Sequence, residues 1–255
     1  EYVSPEGARI LHSMGALSTL DNGVGSQLTG MVVIAPDGGR IHGEFVARHG
    51  FRGFRDRGLG VRREILDTLL LERARSVGVQ VIEQAKVDDV LIDGRGGCVG
   101  VRLRTPEGVR DVHATMVIGA DGLRSVVAKR LSLAHRSRWP HRIALVAHYR
   151  DVRDIGTLGE MHVTREGYVG LAAVGDGLTN VALVVPKSMA HAMAGDPAVY
   201  LDQWIARQPA LAPRFTHAER ATPVRATGPF ASHAKRAWTD GAMLVGDAAD
   251  FFDPF

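Results

Sequence analysis

Two glycine-flanked aspartates are the residues of this chain best suited to chemistry. Gly119-Ala120-Asp121-Gly122-Leu123-Arg124-Ser125 follows the apolar run Met116-Val117-Ile118, and Gly246-Asp247-Ala248-Ala249 follows a second run, Ala242 to Val245. Each reads as a buried strand that ends abruptly in a turn. A carboxylate there suits the ribose of a phosphate-bearing cofactor, because open α/β sheets bind ligands at the C-terminal edge of their strands. Small neighbours such as Gly246, Ala248 and Ala249 let backbone come close to a ligand, and a following helix would offer its N-terminus to an anionic group. Two such turns far apart in sequence imply one cofactor held from both sides. An Asp-Gly step is also ordinary turn chemistry. Arg124 and Ser125 behind the first aspartate, and the apolar lead-in to the second, favour ligand binding over a bare turn.

Other reactive residue types offer less. Cys98 is the single cysteine, which excludes an internal disulfide and makes a thiolate metal site untenable. It sits beside Gly96-Gly97 in a hairpin, where a bystander thiol is expected. The 11 histidines are scattered without helical metal-ligand spacing. Basic residues number 31 against 28 acidic ones, a net +3, and they are dispersed. That distribution excludes a nucleic-acid footprint. No run is long enough for a membrane span, and no signal peptide is visible. The expected location is the cytoplasm, and the oligomeric state is unreadable.

The elements that must position these residues are legible in outline. With 255 residues, 45% of them hydrophobic, the chain is large enough for one sizeable core or two smaller ones. Ser4-Pro5-Glu6 opens a helix whose apolar stripe is Ile10, Leu11, Met14 and Leu17. Met31–Ile34 and Arg40–Phe45 flank the turn Pro36-Asp37-Gly38-Gly39, a hairpin signal. Residues 63–77 form a helix with Leu66, Leu69, Leu70, Ala74 and Val77 on one face, Gly78 as its stop, and Val79–Ile82 as the strand that follows. Segments 87–92, 98–103 and 109–114 read as a β-meander. Residues 142–186 predict a larger antiparallel sheet, and Asp196-Pro197 starts a helix with Tyr200, Trp204 and Ile205 in its core face.

Three segments in this order resemble the FAD-dependent oxidoreductases of the aromatic-hydroxylase type. That superfamily includes para-hydroxybenzoate hydroxylase-like monooxygenases and geranylgeranyl reductase-like enzymes. Residues 119–131 resemble its DG motif and 245–255 the start of its GD motif. Residues 61–81 resemble the cofactor-domain helix whose leading arginine approaches the flavin. The resemblance implies an α/β fold: an incomplete Rossmann-like FAD-binding domain (residues 1–27, 57–134 and 231–255) interleaved with a mostly antiparallel substrate-domain sheet (28–56 and 135–230). It implies FAD and NAD(P)H as cofactors. Asp247, with Gly246 and Ala248, would hold the ribitol or ribose region, and Pro254 would belong to the turn beside the ring. Asp121, Gly122, Arg124 and Ser125 would organise the cofactor site, and Arg63, rather than Arg62, would lie near the flavin or its pyrophosphate. No catalytic acid or base is assigned, and no metal.

Departures from the pattern bear on the reaction. The Gly-x-Gly-x-x-Gly loop that lays a pyrophosphate on a helix N-terminus is absent, so the sequence reads as the interior of a longer enzyme. The isolated chain is expected to bind FAD poorly. Asp250 stands where hydroxylases of the superfamily often carry His and reductase-like members Gly. Residues 167–186 resemble a reductase-like strand pair, with Gly170 and Ala173 in place of Trp and Pro. The favoured function is an NAD(P)H-dependent FAD monooxygenase of an aromatic or apolar small molecule. The alternatives are a flavin reductase saturating an alkene, a nicotinamide-only dehydrogenase, and a non-enzymatic binding module.

Overall fold

Ser4 begins the first helix as its sequence predicts. Its Oγ accepts a hydrogen bond from the Gly7 amide at 3.1 Å, and Pro5 occupies the first turn of helix Pro5–Ser13. The computed structural model describes residues 1–46, 53–136, 141–193, 195–230 and 232–252. The chain divides into two units, residues 1–81 with 144–227 and residues 82–143 with 228–255.

In the first unit the helix ends sooner than its apolar stripe suggests. The chain turns through Gly15 at φ +72°, and Leu17 reaches the core from a separate short turn, Leu17–Thr19. Leu11 and Leu17 are buried, whereas Ile10 and Met14 are exposed. The second helix, Arg63–Ser76, stops before Gly78 at φ +90°. Its Ile65, Leu66, Leu69 and Leu70 pack on a cluster of Ala8, Leu11, Ala16, Leu17, Leu20, Leu59 and Val61. Val77 faces outward. The strand expected at Val79–Ile82 is not formed, and both of those residues are exposed. A strand needs a ladder partner, and no described strand supplies one there.

The main sheet of this unit has eight strands. Its order is Glu219–Arg220, Arg142–Arg150, Thr179–Pro186, Tyr168–Ala173, Leu158–Val163, Gly30–Ile34 and Arg40–Glu44, with Arg225–Thr227 also pairing to Arg142–Arg150. Gly30–Ile34 runs parallel to Leu158–Val163 and antiparallel to Arg40–Glu44. The hairpin joining Tyr168–Ala173 to Thr179–Pro186 carries Asp176 at φ +54° and Gly177 at φ +68°, the left-handed pair that a tight turn of matching twist requires. Helix Pro197–Ala206 is capped by Asp196, whose Oδ1 accepts from the Ala198 amide at 2.8 Å. It buries Tyr200, Leu201, Trp204 and Ile205, and its Asp202 accepts a hydrogen bond from the Tyr149 hydroxyl at 2.7 Å.

The second unit contains the predicted meander, Lys86–Ile92, Cys98–Thr105 and Gly108–His113. Beside it Val117–Gly119 lies parallel to Ala242–Leu244, with Leu244 opposite Gly119. These two strands are not buried on both faces, as their apolar runs suggest. Val117, Gly119, Ala242 and Leu244 point into a core with Val90, Cys98, Val127, Ala128 and Leu133. Ile118, 57% exposed, and Met243 face the other way. The helix Val126–Arg130 and the meander cover one side, and among the described residues nothing covers the other.

Candidate functional site

The parallel pairing fixes where the two aspartates emerge. Because Gly119 and Leu244 are register partners and the Val245 amide donates to the Gly119 carbonyl at 3.0 Å, both strands end at the same sheet edge. The turns that follow, Gly122–Arg124 and Gly246–Ala248, pack against each other. The structure thus brings Asp121 and Asp247 to neighbouring turns although 125 positions separate them (247 minus 121, less one).

Their side chains do different things. The Asp121 carboxylate turns back on its own chain, its Oδ2 accepting from the Val126 amide at 2.7 Å and the Val127 amide at 3.3 Å. Ser125 is buried, and its Oγ accepts from the Ala128 amide at 2.9 Å. Together they satisfy three donors at the start of Val126–Arg130, amides that no carbonyl within the helix can reach. Arg124 donates from Nη2 to the Gly228 carbonyl at 3.1 Å, so the first turn is also fastened to the segment that leads into the second. Asp247 is exposed and has no hydrogen-bond or ion-pair partner among the described residues.

Glycine is required at three points here. Gly122 adopts φ +76° and Gly246 φ +57°, and a Cβ on either would meet no atom within 4 Å. The backbone there faces open space, a geometry that lets a flat or phosphate-bearing ligand come within contact distance. Gly119 is different: a Cβ would lie 2.7 Å from Leu244 Cδ2 and 3.0 Å from Val127 Cβ. It permits the helix to sit tightly on the strands. The sequence motif contains Gly119, but only the packing reveals this role. Phe230, buried at 3%, stacks at a tilt on Phe251 with ring centroids 5.2 Å apart, a contact between distant segments that no spacing announced. The exposed Asp247 carboxylate, the open glycine backbone and the small Ala248 are compatible with the ribose and phosphate chemistry of FAD.

Arg63 stands in the first unit, at the start of helix Arg63–Ser76. Its side chain is 67% exposed and pairs with Asp67 one turn on, Nε to Oδ1 at 3.1 Å. Arg62 is the more enclosed, 23% exposed, bonded to Glu64 and to Asp176 of the hairpin turn. Pro254 lies outside the described residues. Cys98 is buried and its Sγ donates weakly to the Gly100 carbonyl. Among the described residues no group of three or more His, Cys, Asp or Glu side chains could hold a metal ion.

The first unit also carries a charged cluster. Arg214 grips Glu160 with both guanidinium nitrogens, at 2.6 and 2.8 Å, and His162 Nε2 lies 2.8 Å from the same carboxylate. Burial pushes the Glu160 carboxyl up, but the hydrogen bonds from His162 and Arg214 outweigh it and hold the pKa at about 2. An ionised carboxylate only accepts, so His162 donates from Nε2.

The family described as "FAD binding domain" matches residues 21–255. Digeranylgeranylglycerophospholipid reductase 2 of Methanothermobacter thermautotrophicus is 32% identical over 206 residues, covering 78% of this chain and 50% of that protein. The corresponding reductase of Methanothrix thermoacetophila is 28% identical over 238 residues, covering 91% and 57%. The chain spans about half the length of the curated relatives it matches. Among solved structures, the myxobacterial chondrochloren halogenase CndH, a new variant of FAD-dependent halogenases, superposes with a TM-score of 0.89 at 25% identity, covering 99% of this chain and 60% of that one. PqsL of Pseudomonas aeruginosa, described as a probable FAD-dependent monooxygenase, gives 0.77 at 21% identity, covering 100% and 70%. No described helix is long and apolar enough to cross a membrane.

Proposed function

This chain belongs to the FAD binding domain family, and from that premise we propose that it forms part of an FAD-dependent oxidoreductase acting on an aromatic or apolar small molecule with NAD(P)H as electron donor. The observation that carries the proposal is the emergence of the Asp121 and Asp247 turns side by side from adjacent parallel strands, far apart in sequence. When bound, the flavin supplies the redox step, accepting a hydride equivalent from the nicotinamide and delivering reducing power to oxygen or to substrate.

The chain's own residues have complementary roles in this reading. Asp247 accepts hydrogen bonds from the cofactor's sugar hydroxyls, and Gly246 and Ala248 keep the backbone open to it. Asp121 and Ser125 build the neighbouring turn, while Gly122 and Arg124 shape and fasten it. Arg63 belongs with the flavin or pyrophosphate by resemblance. In the same reading, residues 1–27, 57–134 and 231–255 serve the cofactor, residues 28–56 and 135–230 face the substrate, and the protein works in the cytoplasm.

Two reaction types share this site. Oxygen activation by a monooxygenase is the first. Reduction of a carbon–carbon double bond is favoured by the reductases among the sequence relatives. Purified full-length protein, assayed for NAD(P)H oxidation with an oxygen electrode, separates them. Oxygen uptake matching NAD(P)H loss with a hydroxylated product assigns the first, and substrate reduction under anaerobic conditions assigns the second. A protein without flavin absorbance that cannot be reconstituted with FAD refutes both.

A further inference from the structure

Gly30–Ile34 and Leu158–Val163 run parallel with Ile34 beside His162, so both strands leave the main sheet at the same end. Residues 34–37 and 162–165, together with residues 208–211 beyond helix Pro197–Ala206, enclose a cavity of about 610 Å³. All of its lining belongs to the first unit. Its apolar walls are Ile34, Pro36, Val163, Pro209 and Leu211. A cavity of this size with apolar walls and a few placed polar groups is the usual form of a small-molecule site.

Two polar side chains of the lining are spent within their own turns. Asp37 Oδ1 accepts from the Gly39 amide at 2.9 Å, and the Thr164 hydroxyl donates to the Gly167 carbonyl at 3.1 Å. Arg165 is exposed at the rim, where water screens its charge. His162 is different. Its side chain is only 9% exposed, and its Nδ1 has no hydrogen-bond partner among the described residues. The other ring nitrogen is occupied, because Nε2 donates to the Glu160 carboxylate that Arg214 grips with two nitrogens. The hydrogen bond at one ring nitrogen decides where the proton sits. In the neutral ring Nδ1 is then a lone-pair acceptor. Glu160 and Arg214 thus hold the ring in one orientation, with an unspent acceptor on a side chain that lines the cavity.

We propose that this cavity binds an aromatic alcohol, its rings against the apolar walls and its hydroxyl donating to His162 Nδ1. An apolar body covers the walls, and one O–H satisfies the one buried acceptor. A plain hydrocarbon would displace water and leave Nδ1 unpaired, at the cost of a buried polar group without a partner. A carboxylate brings no proton to Nδ1 and adds a second negative charge near Glu160. The site shares no residue with the Asp121 and Asp247 turns, which belong to the second unit, and it stands whether or not those turns hold a flavin.

The test is isothermal titration calorimetry of full-length protein with 2-naphthol. Wild type should show a saturable site. Its methyl ether, 2-methoxynaphthalene, which has no O–H, should bind about tenfold more weakly. His162→Phe keeps a ring but removes the acceptor, and should weaken 2-naphthol binding by about the same factor. Ala210→Trp fills the mouth of the cavity from an exposed position, leaves Glu160, His162 and Arg214 untouched, and should abolish the site. It carries the test even where His162→Phe fails to fold, and far-UV circular dichroism and melting temperature establish the fold of each variant. Asp247→Ala should leave the affinity unchanged. No saturable binding, binding unchanged in Ala210→Trp or in folded His162→Phe, or equal affinity for the naphthol and its ether would each overturn the proposal. Tighter binding of 2-naphthoate than of 2-naphthol would mark an anion site, and weakening by Asp247→Ala would place the probe at the cofactor turns; either result overturns it equally.

Discussion

Replacing Asp121 by alanine should destabilise the protein without touching any ligand. Its carboxylate is the acceptor for two amides at the start of Val126–Arg130, at 2.7 and 3.3 Å. A capping side chain contributes about 1 kcal/mol, within a range of roughly 0.5–2. A charged acceptor raises a hydrogen bond to about 1.5–3 kcal/mol. The second bond is long and the first is exposed, which pulls the sum down. The half-buried Val127 amide left without a partner pushes it up. The expected loss for Asp121→Ala is therefore about 1–2 kcal/mol. Asp121→Asn, which keeps one carbonyl acceptor, should recover part of it. Asp247→Ala is the control: an exposed carboxylate without a partner should change stability by no more than about 0.5 kcal/mol. The assay is urea unfolding of cofactor-free protein, so that ligand binding does not contribute. Equal losses for the two alanine variants, or no loss at Asp121, would refute the division of labour between a turn-building and a ligand-facing aspartate.

Three other substitutions follow from the same geometry. Gly119→Ala places a Cβ 2.7 Å from Leu244 Cδ2, and should cost about 1–3 kcal/mol in chemical unfolding through overpacking. Gly246→Ala meets no neighbour but must adopt φ +57°, so a loss of about 1–2 kcal/mol is expected from the backbone alone. Glu160 links stability to acid. Its folded pKa of about 2 lies below the ordinary glutamate value of about 4.5, so its contribution is complete above about 4.5 and is lost as pH falls towards 2. The shift corresponds to about 3 kcal/mol. Glu160→Gln should flatten the fall in melting temperature across that window, and an unchanged acid profile would contradict the assignment.

What the sequence made legible was local. Pro36-Asp37-Gly38-Gly39 demanded a tight hairpin, Ser4-Pro5 and Asp196-Pro197 demanded helix starts, and each formed because the determinant lies within a few residues. The apolar runs at 117–119 and 242–244 marked strands and placed the two aspartates at strand ends. They could not reveal that one face would be exposed, since a hydrophobic run carries no record of its covering elements. Val79–Ile82 had β-forming composition but no described partner, and strand formation is a property of pairs. Ile10 and Met14 lay on a helical period that Gly15 cut short. The capping role of Asp121 depends on a turn folding back five residues, which spacing alone does not specify. Ser125, by contrast, stood directly before an apolar helical run, a capping signal present in the sequence. The packing role of Gly119 and the Phe230–Phe251 contact required the tertiary arrangement.

The most direct measurement is the dissociation constant for FAD of full-length wild type and Asp247→Ala, by fluorescence titration of the apoprotein. A charge-assisted hydrogen bond to a buried hydroxyl is worth about 1.5–3 kcal/mol, so the variant should bind roughly 10- to 150-fold more weakly while keeping wild-type stability. An unchanged dissociation constant would remove Asp247 from the cofactor site and contradict the account.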